Sequence, residues 1–224
     1  MNYELLMLLV LILLGLSGSG KGTQAELLAR KFGFEYIAMG ELLRREIKKK
    51  TKLGKKIYKI INIKGQLVLD KITTKIFANH FIKKLKNQKK IILDGYPRTL
   101  EQVKELEKIF KKQKIKNFFA LYIKISEAEA VKRLSGRLVC QKCQTIHFPG
   151  DIACRKCGNK LIKREDDTPK KIKTRLAWGK KKLAPVIRYY QKLGRFLEIN
   201  GETEVGMVHK EIVKKLKRYL QNVF

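Results

Sequence analysis

Residues 15–23 read Gly15-Leu16-Ser17-Gly18-Ser19-Gly20-Lys21-Gly22-Thr23, a GxxxxGK stretch placed between an apolar run and the start of a helical one. Nothing else in the chain constrains the fold so tightly. The glycines let the backbone curl until successive N–H groups face one point, where a helix N-terminus adds partial positive charge. Lys21 then reaches a phosphate. Gly18, Ser19, Gly20, Lys21, Gly22 and Thr23 are therefore expected to bind a nucleoside triphosphate. The stretch departs from the general pattern in one way, since Gly22 follows Lys21 and the hydroxyl of Thr23 comes one place later.

The apolar run before this loop covers residues 5–14. Ten residues are too few to cross a bilayer, and Glu4 precedes them where a secretory signal would carry basic residues. A buried strand is expected; the alternative, a signal-like apolar core, would remove the strand that must hold the loop. Met7 is a second candidate start. Further along, apolar runs at 91–93, 118–125 and 195–199 alternate with helical patterns at 23–32, 100–112, 127–134, 170–193 and 205–220. Such alternation predicts an α/β fold with a parallel sheet flanked by helices, its strands buried on both faces. A mostly helical stretch at 39–70 and a turn-rich, cysteine-bearing one at 137–167 interrupt the pattern as insertions. Thr168 and Pro169 mark a helix restart as N-cap and first helical residue. At 224 residues with 44% hydrophobic content, the chain fits one substantial unit with an insertion.

The 52 basic and 20 acidic residues leave a net charge of +32, which favours polyanionic partners: nucleotides, nucleic acid or anionic lipid. The lysines are scattered over polar helix faces, so a solvated surface is the plainer reading and a nucleic-acid face the weaker one. Cys140, Cys143, Cys154 and Cys157 fall within eighteen residues as two Cys-x2-Cys pairs. In a chain this long that spacing suits tetrahedral structural zinc, with iron as the chemical alternative, and a reducing compartment. A site closed by four thiolates has no open position for catalysis; its role is to fold a loop too small for its own core.

Three segments, GSGKGTQA, Gly40-Glu41-Leu42-Leu43-Arg44 and Asp94-Gly95-Tyr96-Pro97-Arg98-Thr99, resemble the adenylate kinase family, and the resemblance covers essentially the whole chain. It implies the P-loop nucleoside monophosphate kinase fold. Residues 1–38, 69–136 and 175–224 would form the core, 39–68 the AMP-binding segment and 137–174 a small zinc-bearing lid. It also implies a cytoplasmic enzyme, commonly a monomer and not membrane-bound, acting on ATP, AMP and ADP. By position Arg44 and Arg98 would hold the AMP phosphate, with Met39, Gly40, Gln66, Leu67, Val68, Gly95, Tyr96 and Pro97 around the nucleotide. Gln102 would read the adenine edge as donor and acceptor together, and Asp94 would organise Mg2+ through its waters. Arg137, Arg164 and Arg175 match lid arginines that close on the phosphates, the latter two also reaching AMP. Arg133, Ile146 and His147 match positions near the ATP adenine. Lys21, Asp94, Arg98 and the lid arginines would thus position both nucleotides and offset charge on the migrating group, without a nucleophile or base. The acidic pair in Arg164-Glu165-Asp166-Asp167 would pair with arginines as the lid moves.

Two departures bear on the acceptor. Met39 stands where the family usually has Thr or a small residue, and Glu41 replaces Asp, which leaves a broader nucleoside monophosphate kinase open as a second reading. The ten-residue gap between the cysteine pairs is shorter than in most zinc-bearing members and implies a trimmed lid. A third reading, from another class, is a P-loop protein with a basic zinc ribbon that binds RNA and uses nucleotide as a switch.

Overall fold

The computed structural model describes residues 8–223, so positions 5–7 of the expected first strand, and the choice between Met1 and Met7, lie outside the described residues. Strand β1 (Leu9–Leu14) forms the centre of a five-stranded parallel sheet. Beside it run β2 (Glu35–Ala38), β3 (Lys90–Asp94), β4 (Asn117–Lys124) and β8 (Phe196–Asn200), in the order β2-β3-β1-β4-β8. Leu11 registers with Ile92 on one side and Phe119 on the other.

Period-two alternation splits the apolar run of β1 between two cores. Val10, Ile12 and Leu14 face one layer, where α4 (Asp70–Leu85), α5 (Leu100–Lys112) and α7 (Pro169–Lys192) supply Phe77, Phe81, Leu106 and Val186. Leu11 and Leu13 face the other, where α1 (Lys21–Phe32) and α8 (Val205–Val223) supply Leu28, Val208 and Ile212. This two-sided burial holds the loop after β1 on a rigid base. The chain leaves β1 at the point where the strand order reverses, the crevice in which doubly wound sheets bind ligands.

Two insertions stand over that crevice. The first is α2 (Met39–Lys48), α3 (Lys52–Tyr58) and a π-helical turn at Lys59–Ile63. The second follows α6 (Glu127–Ser135) and is a three-stranded antiparallel sheet of β5 (Leu138–Cys140), β6 (Ile146–His147) and β7 (Leu161–Lys163). Each strand here has two or three residues, too few for alternation to show in sequence, hence the expectation of turns alone. Helix α4 was likewise unmarked: its buried Thr73, Phe77 and Phe81 recur every four residues, but the intervening Ile and Thr residues blur the stripe. Thr168 and Pro169 do begin α7, though the threonine side chain makes no capping bond. No described helix is long and apolar enough to cross a membrane.

Candidate functional site

A cavity of about 710 Å³ opens at the carboxyl ends of β2 and β3, walled by the loop after β1, by α2 and residues 66–68, and by the β5–β7 sheet. Gly18, Ser19, Gly20, Lys21, Gly22 and Thr23 all line it. Gly18 and Gly20 have φ of 86° and 90°, and a Cβ on Gly15 would lie 2.5 Å from Ser19 Oγ. Side chains at those positions would break the curl. The Lys21 ammonium donates to Leu16 O at 2.7 Å, Gly15 O at 2.9 Å and Ser19 Oγ at 3.2 Å. Burial, opposed by the charge of Asp94, holds its pKa down to about 8.

Arg44, Arg133 and Arg175 come from three helices, Arg98, Arg137 and Arg164 from the connections between elements, and all six converge on this one cavity. The Nε atoms of Arg44, Arg164 and Arg175 are buried without a partner. Burial, with Arg137 and Arg44 adding repulsion, pushes Arg164 down to about 9, and burial lowers Arg98 as well. Guanidinium groups crowded and desolvated in this way form a site for a polyanion. The acidic pair already engages two of them. Asp167 accepts from Arg137 Nε at 2.8 Å and Arg175 Nη2 at 2.7 Å, and Asp166 from Arg175 Nη1 at 2.7 Å. Arg133 is anchored to Glu129 at 2.7 Å and to Gly201 O at 2.9 Å.

Asp94 ends β3 and accepts a hydrogen bond from the Tyr36 hydroxyl at 2.9 Å. A Cβ on Gly22 would stand only 3.2 Å from that hydroxyl, so the extra glycine after Lys21 makes room for the Tyr36–Asp94 pair. No local pattern in the sequence marks Tyr36. Met39, Gly40, Gln66, Leu67 and Val68 wall another part of the cavity, with Gly95, Asp70, Thr73 and Gln102.

At three places the side chains stand differently from what the resemblance implies. The Gln102 amide is not available as donor and acceptor together: Nε2 donates to Asp70 Oδ1 at 2.7 Å and to Thr73 Oγ1 at 2.9 Å, which uses both hydrogens. Tyr96 and Pro97 do not line the cavity; Tyr96 is buried and stacks on Phe77 at 4.0 Å between centroids. His147 turns away as well. Alternation along β6 sends Ile146 to the cavity and His147 into the insertion, where its Nδ1 meets Asp151 Oδ2 at 2.9 Å. Phe148, the next residue on the Ile146 side, takes the cavity-lining place.

The Sγ atoms of Cys140, Cys143, Cys154 and Cys157 lie within 4.8 Å of one another, a donor set that fits a tetrahedral metal ion. The Thr145 hydroxyl holds the Cys143 thiol down to about 6, toward thiolate, while burial pushes Cys154 up to about 11, a penalty that a bound cation would remove. The two insertions also touch. Glu165 Oε2 accepts from Asn62 Nδ2 at 2.7 Å and from the Tyr58 hydroxyl at 3.2 Å, a contact across 103 and 107 residues that no sequence signal announced.

A family model described as adenylate kinase matches residues 13–195. An adenylate kinase of Dehalococcoides mccartyi is 39% identical over 211 residues, covering 92% of this chain and 97% of its own. One from Methanothrix thermoacetophila is 38% identical, covering 93% of this chain and 99% of its own, and one from Thermosipho melanesiensis is 36% identical with the same coverage.

Proposed function

This chain belongs to the adenylate kinase family, and from that footing we propose that it moves the γ-phosphoryl group of MgATP reversibly to AMP, giving two ADP. The observation that carries the reading is the meeting of Lys21 and six arginines in one cavity, three of them with buried, unpartnered Nε atoms. The loop and Lys21 bind the donor phosphates, with Arg133, Ile146 and Phe148 placed toward its base. Arg44 and Arg98 take the acceptor phosphate, and Arg137, Arg164 and Arg175 offset charge on the group in flight. Asp166 and Asp167 hold the lid arginines in place before phosphate arrives. Asp94, with one carboxylate oxygen tied to Tyr36, suits a hard cation and would hold Mg2+ through water; that ion would supply further charge neutralisation.

Residues 39–68 serve as the acceptor segment and 137–174 as the lid, and both exclude water so that ATP is not simply hydrolysed. The cysteine set holds zinc as a structural ion. Free cysteines suit a reducing, cytoplasmic setting, and a monomer suffices because the residues invoked all come from one chain. Family membership displaces the nucleic-acid-switch reading. The broader nucleoside monophosphate kinase keeps one specific support, Met39, which is buried in the cavity wall and cannot donate a hydrogen bond. A coupled assay of ADP formation with AMP, GMP, CMP and UMP decides. AMP as the fastest acceptor supports the proposal, comparable rates with several acceptors widen it, and silence with all four rejects it.

A further inference from the structure

The Gln102 side-chain amide is fixed in one of its two orientations by groups that have no choice of role. A backbone N–H only donates, and that of Arg98 points at one end of the amide at 2.7 Å, so this end is Oε1. A carboxylate oxygen only accepts, and Asp70 Oδ1 faces the other end at 2.7 Å, so that end is Nε2. The second Nε2 hydrogen goes to Thr73 Oγ1 at 2.9 Å, whose own proton points back to the carbonyls of Asp70 and Leu69. Asp70 is itself held by the Thr99 hydroxyl at 2.7 Å. A flipped amide would set N–H against N–H and oxygen against both the carboxylate and the Thr73 oxygen, losing all three hydrogen bonds at once. Gln102, Asp70 and Thr73 all line the cavity wall shared with Met39 and Val68.

We propose that Asp70 is a positioning residue for acceptor choice: it locks Gln102 so that the amide presents only a hydrogen-bond acceptor to the incoming base. The inference rests on the reading of this cavity as a monophosphate acceptor site. An acceptor at this place pairs with an exocyclic amino group, as on adenine, and repels a carbonyl oxygen in the same position, as on hypoxanthine or guanine. Discrimination then comes from a carboxylate that need not touch the base. Met39, also in the lining of this cavity, can contribute packing and no competing donor.

The test compares kcat/KM for AMP and IMP, two acceptors alike except along this edge, where IMP carries an oxo group and a protonated ring nitrogen. The unaltered protein should prefer AMP. Asp70→Ala removes the charged partner that holds the Nε2 end, leaving the Arg98 N–H and Thr73 contacts, and so weakens the lock. It should narrow the AMP:IMP ratio by about tenfold, mainly through the two acceptor KM values, with KM for ATP unchanged. A purely structural role for Asp70 would weaken both acceptors alike and leave the ratio in place. Because Asp70 also opens α4, folding is checked by melting. Thr73→Val, which frees one amide hydrogen only, should narrow the ratio by about threefold and serves if Asp70→Ala does not fold. An unchanged ratio in a folded variant overturns the inference, as does equal use of AMP and IMP by the unaltered protein; either leaves the kinase reading intact. Silence with both acceptors removes the reading of AMP as the acceptor and this inference with it.

Discussion

Glu165→Ala removes the side chain that, among the described residues, joins the two insertions by hydrogen bonds to Asn62 and Tyr58. The contact of Lys171 Nζ with the Glu165 carbonyl survives, because it needs no side chain at 165. Both lost bonds are exposed, so each favours the closed form by a factor of only two to three, and together by about fivefold. On the proposed function, closure brings the lid arginines and the acceptor segment onto the same phosphates. The variant should therefore raise KM for ATP and for AMP together by about fivefold, while kcat holds or rises if reopening limits turnover. Steady-state kinetics with each nucleotide varied in turn provide the readout. Asn62→Ala should produce about half the effect on a logarithmic scale, and the double variant no more than Glu165→Ala alone. Independent, multiplying effects, or a change in one KM only, would refute the clasp.

The ammonium of Lys21, its pKa held down to about 8 by burial, loses charge above that pH, and a bound polyphosphate would favour the charged form. Accordingly kcat/KM for ATP should fall as pH rises through about 8 while kcat stays level to higher pH; a flat kcat/KM profile over about pH 7 to 10 contradicts this. Tyr36→Phe deletes one charge-assisted hydrogen bond to a part-buried carboxylate, a loss of about 1.5–3 kcal/mol, and should raise the Mg2+ concentration for half-maximal rate by about tenfold or more. An unaltered Mg2+ requirement would show that Asp94 needs no such support. Stripping the metal from the four cysteines with a chelator should lower the melting temperature and release zinc to a colorimetric dye; a melting curve that ignores the treatment rules out a structural ion.

The central loop and the sheet were legible because their requirements are local. GxxxxGK dictates glycine where φ is positive, and the apolar runs of β1, β3 and β4 can only be doubly buried strands. The arginines and Asp94 were found by resemblance, and the cavity gathers them. What escaped was pairwise and distant. Tyr36 meets Asp94 across 58 residues and Asp70 meets Gln102 across 32, and neither partner carries a local mark of the other. Gln102 shows the consequence: its identity was readable, yet the direction of its amide was set by Asp70 and the Arg98 backbone. His147 shows a different failure, since a two-residue strand gives no alternation to read, and one residue of register decides between His147 and Phe148.

The most direct measurement is phosphorus NMR of the purified protein with MgATP and AMP, following every phosphorus species over time. Transfer to AMP predicts two ADP formed for each ATP consumed, no inorganic phosphate, and the same equilibrium mixture when ADP alone is supplied. Release of inorganic phosphate, or ATP left untouched in the presence of AMP, would contradict it.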